Sequence, residues 1–107
     1  LNDGSYNGKQ IIGKMTNKLL QSDQMANITS NRHKGGHGLI STVIRDEDLH
    51  KGNLGSAGTL HGGGYFNTKY FADPNEKVIG ILLKQTRDIS EYTSNKFNRL
   101  VFSSIIK

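Results

Sequence analysis

The sequence predicts an α+β fold in which an antiparallel sheet carries helices on one face, the last helix ending the chain. Two runs rich in aromatic and β-branched residues, 65–72 (YFNTKYFA) and 78–85 (VIGILLKQ), flank Asp73-Pro74-Asn75-Glu76. Proline suits the second position of a type I turn and the preceding aspartate can bond the turn backbone, so the pair reads as a hairpin. Residues 38–45 (GLISTVIR) alternate apolar side chains around two hydroxyl residues and add a third strand. Residues 89–106 place Ile89, Tyr92, Phe97, Leu100, Val101 and Ile105 on one broad stripe, with Ser90 positioned to cap a helix and Glu91 in its first turn.

The remaining segments follow in order. Residues 1–14 (LNDGSYNGKQIIGK) are turn-dense, with Ile11-Ile12 as the expected buried anchor. A short helix is predicted over 14–25, because Met15, Leu19 and Leu20 fall at helical spacing and Met25 extends that side. Residues 26–37 are polar and punctuated by glycine, which is loop chemistry, and the acidic turn Asp46-Glu47-Asp48 closes the first strand. Residues 49–64 form a glycine-rich stretch, read as a loop whose backbone N–H groups can approach a ligand where a side chain would obstruct.

Composition bounds the rest. Only 34% of the 107 residues are hydrophobic, and glycine, with 13 residues, supplies much of what an ordinary domain has in apolar side chains. A chain of this make-up forms a modest core by itself, so it reads as one portion of a larger domain, its N-terminal part preceding Leu1. The absence of cysteine excludes a disulfide framework, a thiolate zinc site and a cysteine nucleophile. No apolar run approaches the roughly 20 residues of a transmembrane helix. The net charge of +5 comes from basic residues scattered singly, with no basic stripe interleaved with aromatics, so nucleic acid is not an expected partner. Of the four histidines, His33, His37 and His50 read as exposed loop residues. Gly35-Gly36 breaks any helix that could align His33 with His37, so neither a metal nor another cofactor is expected.

The sharpest local signal is His61-Gly62-Gly63-Gly64-Tyr65. One reading is the oxyanion loop of lipase-like α/β hydrolases, whose backbone N–H groups stabilise a tetrahedral intermediate. That family needs a Gly-x-Ser-x-Gly elbow downstream. The nearest match here, Leu54-Gly55-Ser56-Ala57-Gly58, lies upstream and lacks the first glycine.

The wider window 58–86 (GTLHGGGYFNTKYFADPNEKVIGILLKQT) resembles the C-terminal region of the serine β-lactamase and penicillin-binding-protein superfamily, in its class C-like branch of β-lactamases, D-alanyl-D-alanine peptidases and esterases. There a Gly-His-x-Gly motif opens a strand, an aromatic residue and a threonine follow, then an aromatic, an Asp-Pro turn and an apolar strand ending near Gln-Thr. Upstream, LNDGSYNGKQII, MTNKLLQSDQM and GGHGLISTVIRD are similar to the branch's connecting segment, helix and strand, so the resemblance covers most of the chain. It implies acyl transfer through a serine acyl-enzyme on a small-molecule or peptide substrate, and a periplasmic or extracellular location. It assigns His61 to the third active-site motif and Gly62, Gly63, Gly64 and Tyr65 to the oxyanion and substrate-binding strand.

Two departures qualify that assignment. The branch places its aromatic residue directly after Gly-His-x-Gly, whereas here His61 precedes three glycines. Aligned without gaps from Tyr65-Phe66, the motif histidine falls on Gly62. A bulge among the glycines would keep it on His61, since a one-residue slip otherwise turns a side chain to the other face. The nucleophile is also missing. Ser104-Ile105-Ile106-Lys107 satisfies Ser-x-x-Lys and Tyr65-Phe66-Asn67 satisfies Tyr-x-Asn, but nine serines and ten lysines make about one such match expected by chance. The nucleophile therefore belongs to the N-terminal part, and this chain alone is expected to be catalytically silent. The alternative is a free-standing binding module that uses its glycine loop to contact an anion or peptide.

Overall fold

The computed structural model describes residues 1–28, 35–51, 54–87 and 90–106. The fold is α+β. Five strands, β3 (Gly36–His37), β4 (Thr42–Val43), β5 (Leu60–Gly63), β6 (Lys69–Asp73) and β7 (Val78–Leu82), form one sheet in chain order. Every neighbouring pair is antiparallel. A separate two-stranded sheet, β1 (Ser5–Tyr6) with β2 (Lys9–Gln10), precedes helix α1 (Lys14–Gln21), and helix α2 (Tyr92–Ser103) ends the chain.

The expected hairpin is present with shifted ends. Asp73 Oδ1 accepts the N–H groups of Asn75 (2.9 Å) and Glu76 (3.0 Å), fixing the turn between β6 and β7. Residues 65–68, expected in the strand, instead belong to a turn over 64–68. Gly64 N–H donates to Thr68 O (2.8 Å), and Asn67 takes a left-handed conformation with φ 65° that an asparagine tolerates. The strand character lies partly upstream, in glycines 62 and 63 of β5, which were expected to be loop.

The expected single strand over 38–45 is also corrected. Gly38 N–H donates to Ser41 O (2.8 Å), so Leu39 and Ile40 sit at the tip of a tight turn between β3 and β4. Both are exposed. Thr42–Val43 of the run pair back with Gly36–His37 just before it, so the run makes one strand and a turn, not one continuous strand. Asp23 holds this hairpin to the end of α1. Its Oδ1 accepts N–H groups from Met25 (2.9 Å) and His37 (3.0 Å), and its Oδ2 accepts from Arg45 Nε (2.6 Å). That use of Asp23, with Ser22 in extended conformation, ends α1 at Gln21 and not at Met25. The acidic segment expected as a turn is a short 3-10 helix, Asp46–Lys51.

At the N-terminus, Asn7 and Gly8 both have positive φ and form a two-residue hairpin turn between β1 and β2. Ile11 is 65% exposed, so it is not the buried anchor expected of it. Helix α1 likewise buries no residue. Helix α2 differs. Ser94, Phe97, Asn98, Val101, Phe102 and Ile105, spaced as one helical face, are buried or half-buried, whereas Tyr92 and Leu100 of the expected stripe are exposed. The helix starts one residue later than expected: Glu91, not Ser90, is the N-cap, and Glu91 is not in the first turn. Ser90 Oγ accepts from Tyr92 N–H (3.2 Å) from just outside the helix, and Ile89 lies outside the described residues.

Most of the aromatic packing lies between α2 and the sheet, whereas Val43 is buried on the opposite face, paired through Leu60 with Ala72. Phe71 stacks on Phe102 with ring centroids 4.9 Å apart and lies 6.2 Å from Phe97. It also covers its cross-strand partner Gly80, where a Cβ would collide with the ring. Among the described residues only Val43, Ile44 and Phe71 are buried hydrophobics. No helix among them is long and apolar enough to cross a membrane.

Candidate functional site

Strand β5 is the element on which the sequence places its candidate residues, and its register decides what each can do. Leu60, His61, Gly62 and Gly63 pair in unbroken succession with Ala72, Phe71, Tyr70 and Lys69. No bulge interrupts these four residues, so His61 and Gly62 face opposite sides of the sheet. His61 shares the α2 face with Phe71 and Thr42, whereas Gly62 lies on the other face under the Tyr70 ring. A Cβ at Gly62 would come within 2.7 Å of that ring, so the glycine admits a close approach by this chain's own tyrosine.

Backbone direction follows from the same register. Gly64 N–H bonds Thr68 on the β6 side, and Thr59 O accepts from Ile44 N–H on the β4 side (2.9 Å). Because peptide groups alternate in an antiparallel ladder, Thr59, His61 and Gly63 direct theirs toward β4, and Gly62 and Gly64 direct theirs toward β6. His61 meets Thr42 there, but β4 begins at Thr42 and the chain turns away through residues 38–41. Gly63 therefore has a strand partner on the β6 side alone. Its N–H and C=O face an open groove lined by Ile40, Ser41, Thr42, His61, Gly63 and Tyr70, among others.

His61 is half-buried between this groove and a second cavity of about 270 Å³ beneath the sheet, where Lys69, Glu91, Ser94 and Asn98 also line the wall. Burial holds the imidazole below its ordinary value of 6.5, with repulsion from Lys69 and His37 acting the same way and Asp48 opposing. Near neutral pH His61 is thus an uncharged hydrogen-bonding group. Lys69 pairs with Glu91 at 3.1 Å across the start of α2.

The other candidates fall elsewhere. Tyr65 is in the 64–68 turn, 74% exposed, and its hydroxyl accepts from Arg87 Nη2 (2.7 Å) while the guanidinium lies 5.3 Å over its ring. Asn67 belongs to the same turn and donates from Nδ2 to Thr86 O (3.2 Å), so Tyr65 and Asn67 are turn residues and not strand residues as expected. Ser104 sits at the C-cap of α2 and donates its hydroxyl to Val101 O (2.7 Å), a helix-end role; Lys107 lies outside the described residues. His37, expected in a loop, forms part of β3 opposite Thr42 on the His61 face, and His33 lies outside the described residues. The alternation of apolar residues begins only at 38, so the residue pattern leaves His37 in the loop and does not show that His37, Thr42 and His61 would align.

No group of three or more histidine, aspartate or glutamate side chains converges among the described residues. The arrangement can offer an extended ligand one backbone donor and one acceptor at the β5 edge, beside a neutral imidazole. The antiparallel sheet is incompatible with the lipase-like α/β-hydrolase reading, which needs parallel strands. Compared with protein-family models and with curated protein sequences, the chain matches none.

Proposed function

We propose that this chain is the C-terminal portion of a serine acyl-transfer hydrolase similar to the class C-like branch of the β-lactamase and penicillin-binding-protein superfamily. The observation that carries the reading is β5: half-buried His61 and, two residues on, Gly63, whose backbone faces an open sheet edge. A hairpin, an Asp-Pro turn, an apolar strand and a terminal helix on one sheet face then follow in the order that branch requires. The bulge that would have kept the motif histidine on His61 is absent from β5, so the proposal instead counts the extra residue in the 64–68 turn and assigns His61-Gly62-Gly63 to the third motif.

In this proposal the substrate lies along the β5 edge and Gly63 N–H donates to the oxygen of the scissile carbonyl as it gains charge. Neutral His61 holds the hydrogen-bond network beside it. A serine of the N-terminal part forms the acyl bond as the leaving group departs, its proton passing to that leaving group through neighbouring basic groups. Water then attacks the acyl-enzyme, releasing the acid and returning a proton to the serine. Gly62 and Gly64 direct their peptide groups into the sheet, so Gly63 is the oxyanion donor among the glycines.

The scarcity of buried apolar residues and the exposure of Ile79 and Ile81 on the sheet face opposite α2 support a chain that packs against further elements. The test is the natural polypeptide, recovered with an antibody against residues 1–107. A mass near three times 11.8 kDa is expected, with covalent labelling by a fluorophosphonate on a serine outside these residues. An unlabelled 11.8 kDa polypeptide that melts sharply as a monomer would favour the free-standing binding module.

A further inference from the structure

Independently of the acyl-transfer reading, we infer that Asn7-Gly8 is a site of spontaneous covalent modification, at which Asn7 converts to aspartate and isoaspartate through a cyclic imide. Of the asparagines in the chain, only Asn7 precedes a glycine, which has no side chain to shield its nitrogen. Solvent hydroxide takes the Gly8 N–H proton, and the Gly8 nitrogen bonds to Asn7 Cγ. The Cγ–Nδ2 bond breaks, and Nδ2 takes a proton from water and leaves as ammonia. Water then opens the imide. Cleavage between Cγ and the Gly8 nitrogen leaves aspartate, whereas cleavage at the Asn7 main-chain carbonyl leaves Gly8 attached through Cγ, as isoaspartate.

The fold leaves this dipeptide open. Asn7 and Gly8, with φ 48° and 74°, are the two loop residues of the β1–β2 hairpin, and both are exposed. A Cβ at Gly8 would meet no atom of the described residues within 4 Å. The strands have two residues each, so opening the tip breaks only the Tyr6–Lys9 pair and frees the Asn7–Gly8 peptide to rotate toward Cγ. Asp3-Gly4 could form the same imide by loss of water, but its backbone is tied down. Ser5 N–H donates to Asn2 O (2.9 Å), Gln10 Nε2 to Asp3 O (2.9 Å), and Ile11 and Ile12 N–H to Gly4 O (2.9 and 3.0 Å). A Cβ at Gly4 would collide with Ile12 O. Modification at Asn7 has a structural consequence. Isoaspartate puts an extra methylene into the backbone, so the two-residue loop no longer sets the Tyr6–Lys9 register, and either product adds a negative charge to a chain of net charge +5.

The test incubates the natural polypeptide, folded and in urea, at several pH values in water enriched in heavy oxygen. Trypsin then releases the peptide ending at Lys9 for mass spectrometry and for labelling by an isoaspartyl methyltransferase. Isoaspartate and aspartate are expected at position 7 of the folded protein, each carrying a heavy oxygen, at a rate proportional to hydroxide and before any isoaspartate at Asp3. The variant Asn7→Gln, which would have to close a larger ring, is expected to lose both products. Asn7 intact in the folded protein after the urea-unfolded protein has converted overturns the inference, because the hairpin then holds the turn closed. Isoaspartate forming first at Asp3 overturns it as well, because openness at Gly8 would not then select the site.

Discussion

The two faces of the five-stranded sheet are built from the same strands, and both are apolar, yet they are covered unequally: on the face opposite α2, Val43 of β4 is buried, and the β6–β7 end is open. Toward α2, Phe71 is 5% exposed between Gly80 and the rings of Phe97 and Phe102. On the other face Ile79 and Ile81 are 58% and 60% exposed, beside Tyr70 at 39%. Register places Leu60 and Ala72 with Ile79, and Tyr70 with Ile81, so these side chains form one continuous surface. An antiparallel sheet with one solvated face normally alternates apolar with polar residues. Strand β7 does not alternate: Val-Ile-Gly-Ile-Leu is the composition of a strand enclosed on both sides. The uncovered face is thus equipped for burial to the same degree as the covered one, which is the physical content of reading the chain as part of a larger domain.

Substitutions that strike the covered face measure how much of the chain's stability resides there. Phe71→Ala removes the ring that joins β6 to α2 and leaves a cavity above Gly80. The expected loss is about 3–5 kcal/mol, enough to abolish a cooperative urea transition in the 107-residue chain. A residual transition weakened by less than about 1 kcal/mol would mean that α2 is held by something other than this stack.

Gly80→Val tests the same contact from below. The new side chain would occupy the space of the Phe71 ring, so a loss of about 1–3 kcal/mol is expected from overpacking. Gly62→Ala, the counterpart on the open face, meets the half-exposed Tyr70 ring, which can swing into solvent. Its cost should be the smaller of the two in parallel urea titrations.

Asp73 anchors the covered side at its far end. Fully buried, it accepts N–H groups from Ser56 (2.8 Å), Asn75 and Glu76, and these donors outweigh the burial that would raise its carboxyl, holding it below 3.8. A depressed folded value means that this stabilisation is complete above the unfolded value and is lost as pH falls below about 3.8. Asp73→Asn turns an amide NH₂ toward a backbone donor, so a loss of about 1–3 kcal/mol near neutral pH and a flatter acid limb are expected by urea unfolding at several pH values. His61 acts in a higher window: its folded value lies below 6.5, so stability falls as pH drops through 6.5 toward that lower value. A His61 NMR titration midpoint at or above 6.5 would contradict the burial described for it.

The asymmetry also explains what could be read from the residues alone. Asp-Pro at 73–74, the apolar run after it and the terminal helical stripe each carry a local signal, and all three elements formed, the strand ending at Leu82 rather than 85 and the helix spanning Tyr92–Ser103 within the expected 89–106. Two strand assignments ran too far because the competing signal was a turn: Gly38 and Ser41 close one, and Gly64, Asn67 and Thr68 close the other, leaving β4 and β6 as the strand parts of the two runs. Both turns depend on which residue adopts a left-handed or tightly bonded conformation, and β-branched or aromatic neighbours conceal it. The glycines of β5 were legible as a place of close backbone approach, but not that Tyr70 would cover Gly62. The alignment of His37, Thr42 and His61 arises from pairing across segments distant in sequence, which periodicity within one segment does not encode. The Ile11-Ile12 anchor failed for a related reason: an apolar pair predicts burial only where another element supplies the opposing surface.

The smallest effect is expected on the uncovered face, and its smallness is informative. Ile79→Thr and Ile81→Thr keep β-branching, so the backbone preference of β7 is retained while apolar surface already in water is reduced. In the 107-residue chain each should change unfolding free energy by no more than about 0.5 kcal/mol, and the double variant should stay monomeric at higher concentration by light scattering. If the natural polypeptide is longer, as proposed, the same double variant should lose several times as much in it, because there the threonine hydroxyls would be carried into an interior without partners. The contrast between the two backgrounds carries the argument. Equal and small losses in both would mean that nothing covers this face, and the apolar composition of β7 would then need a cause other than burial.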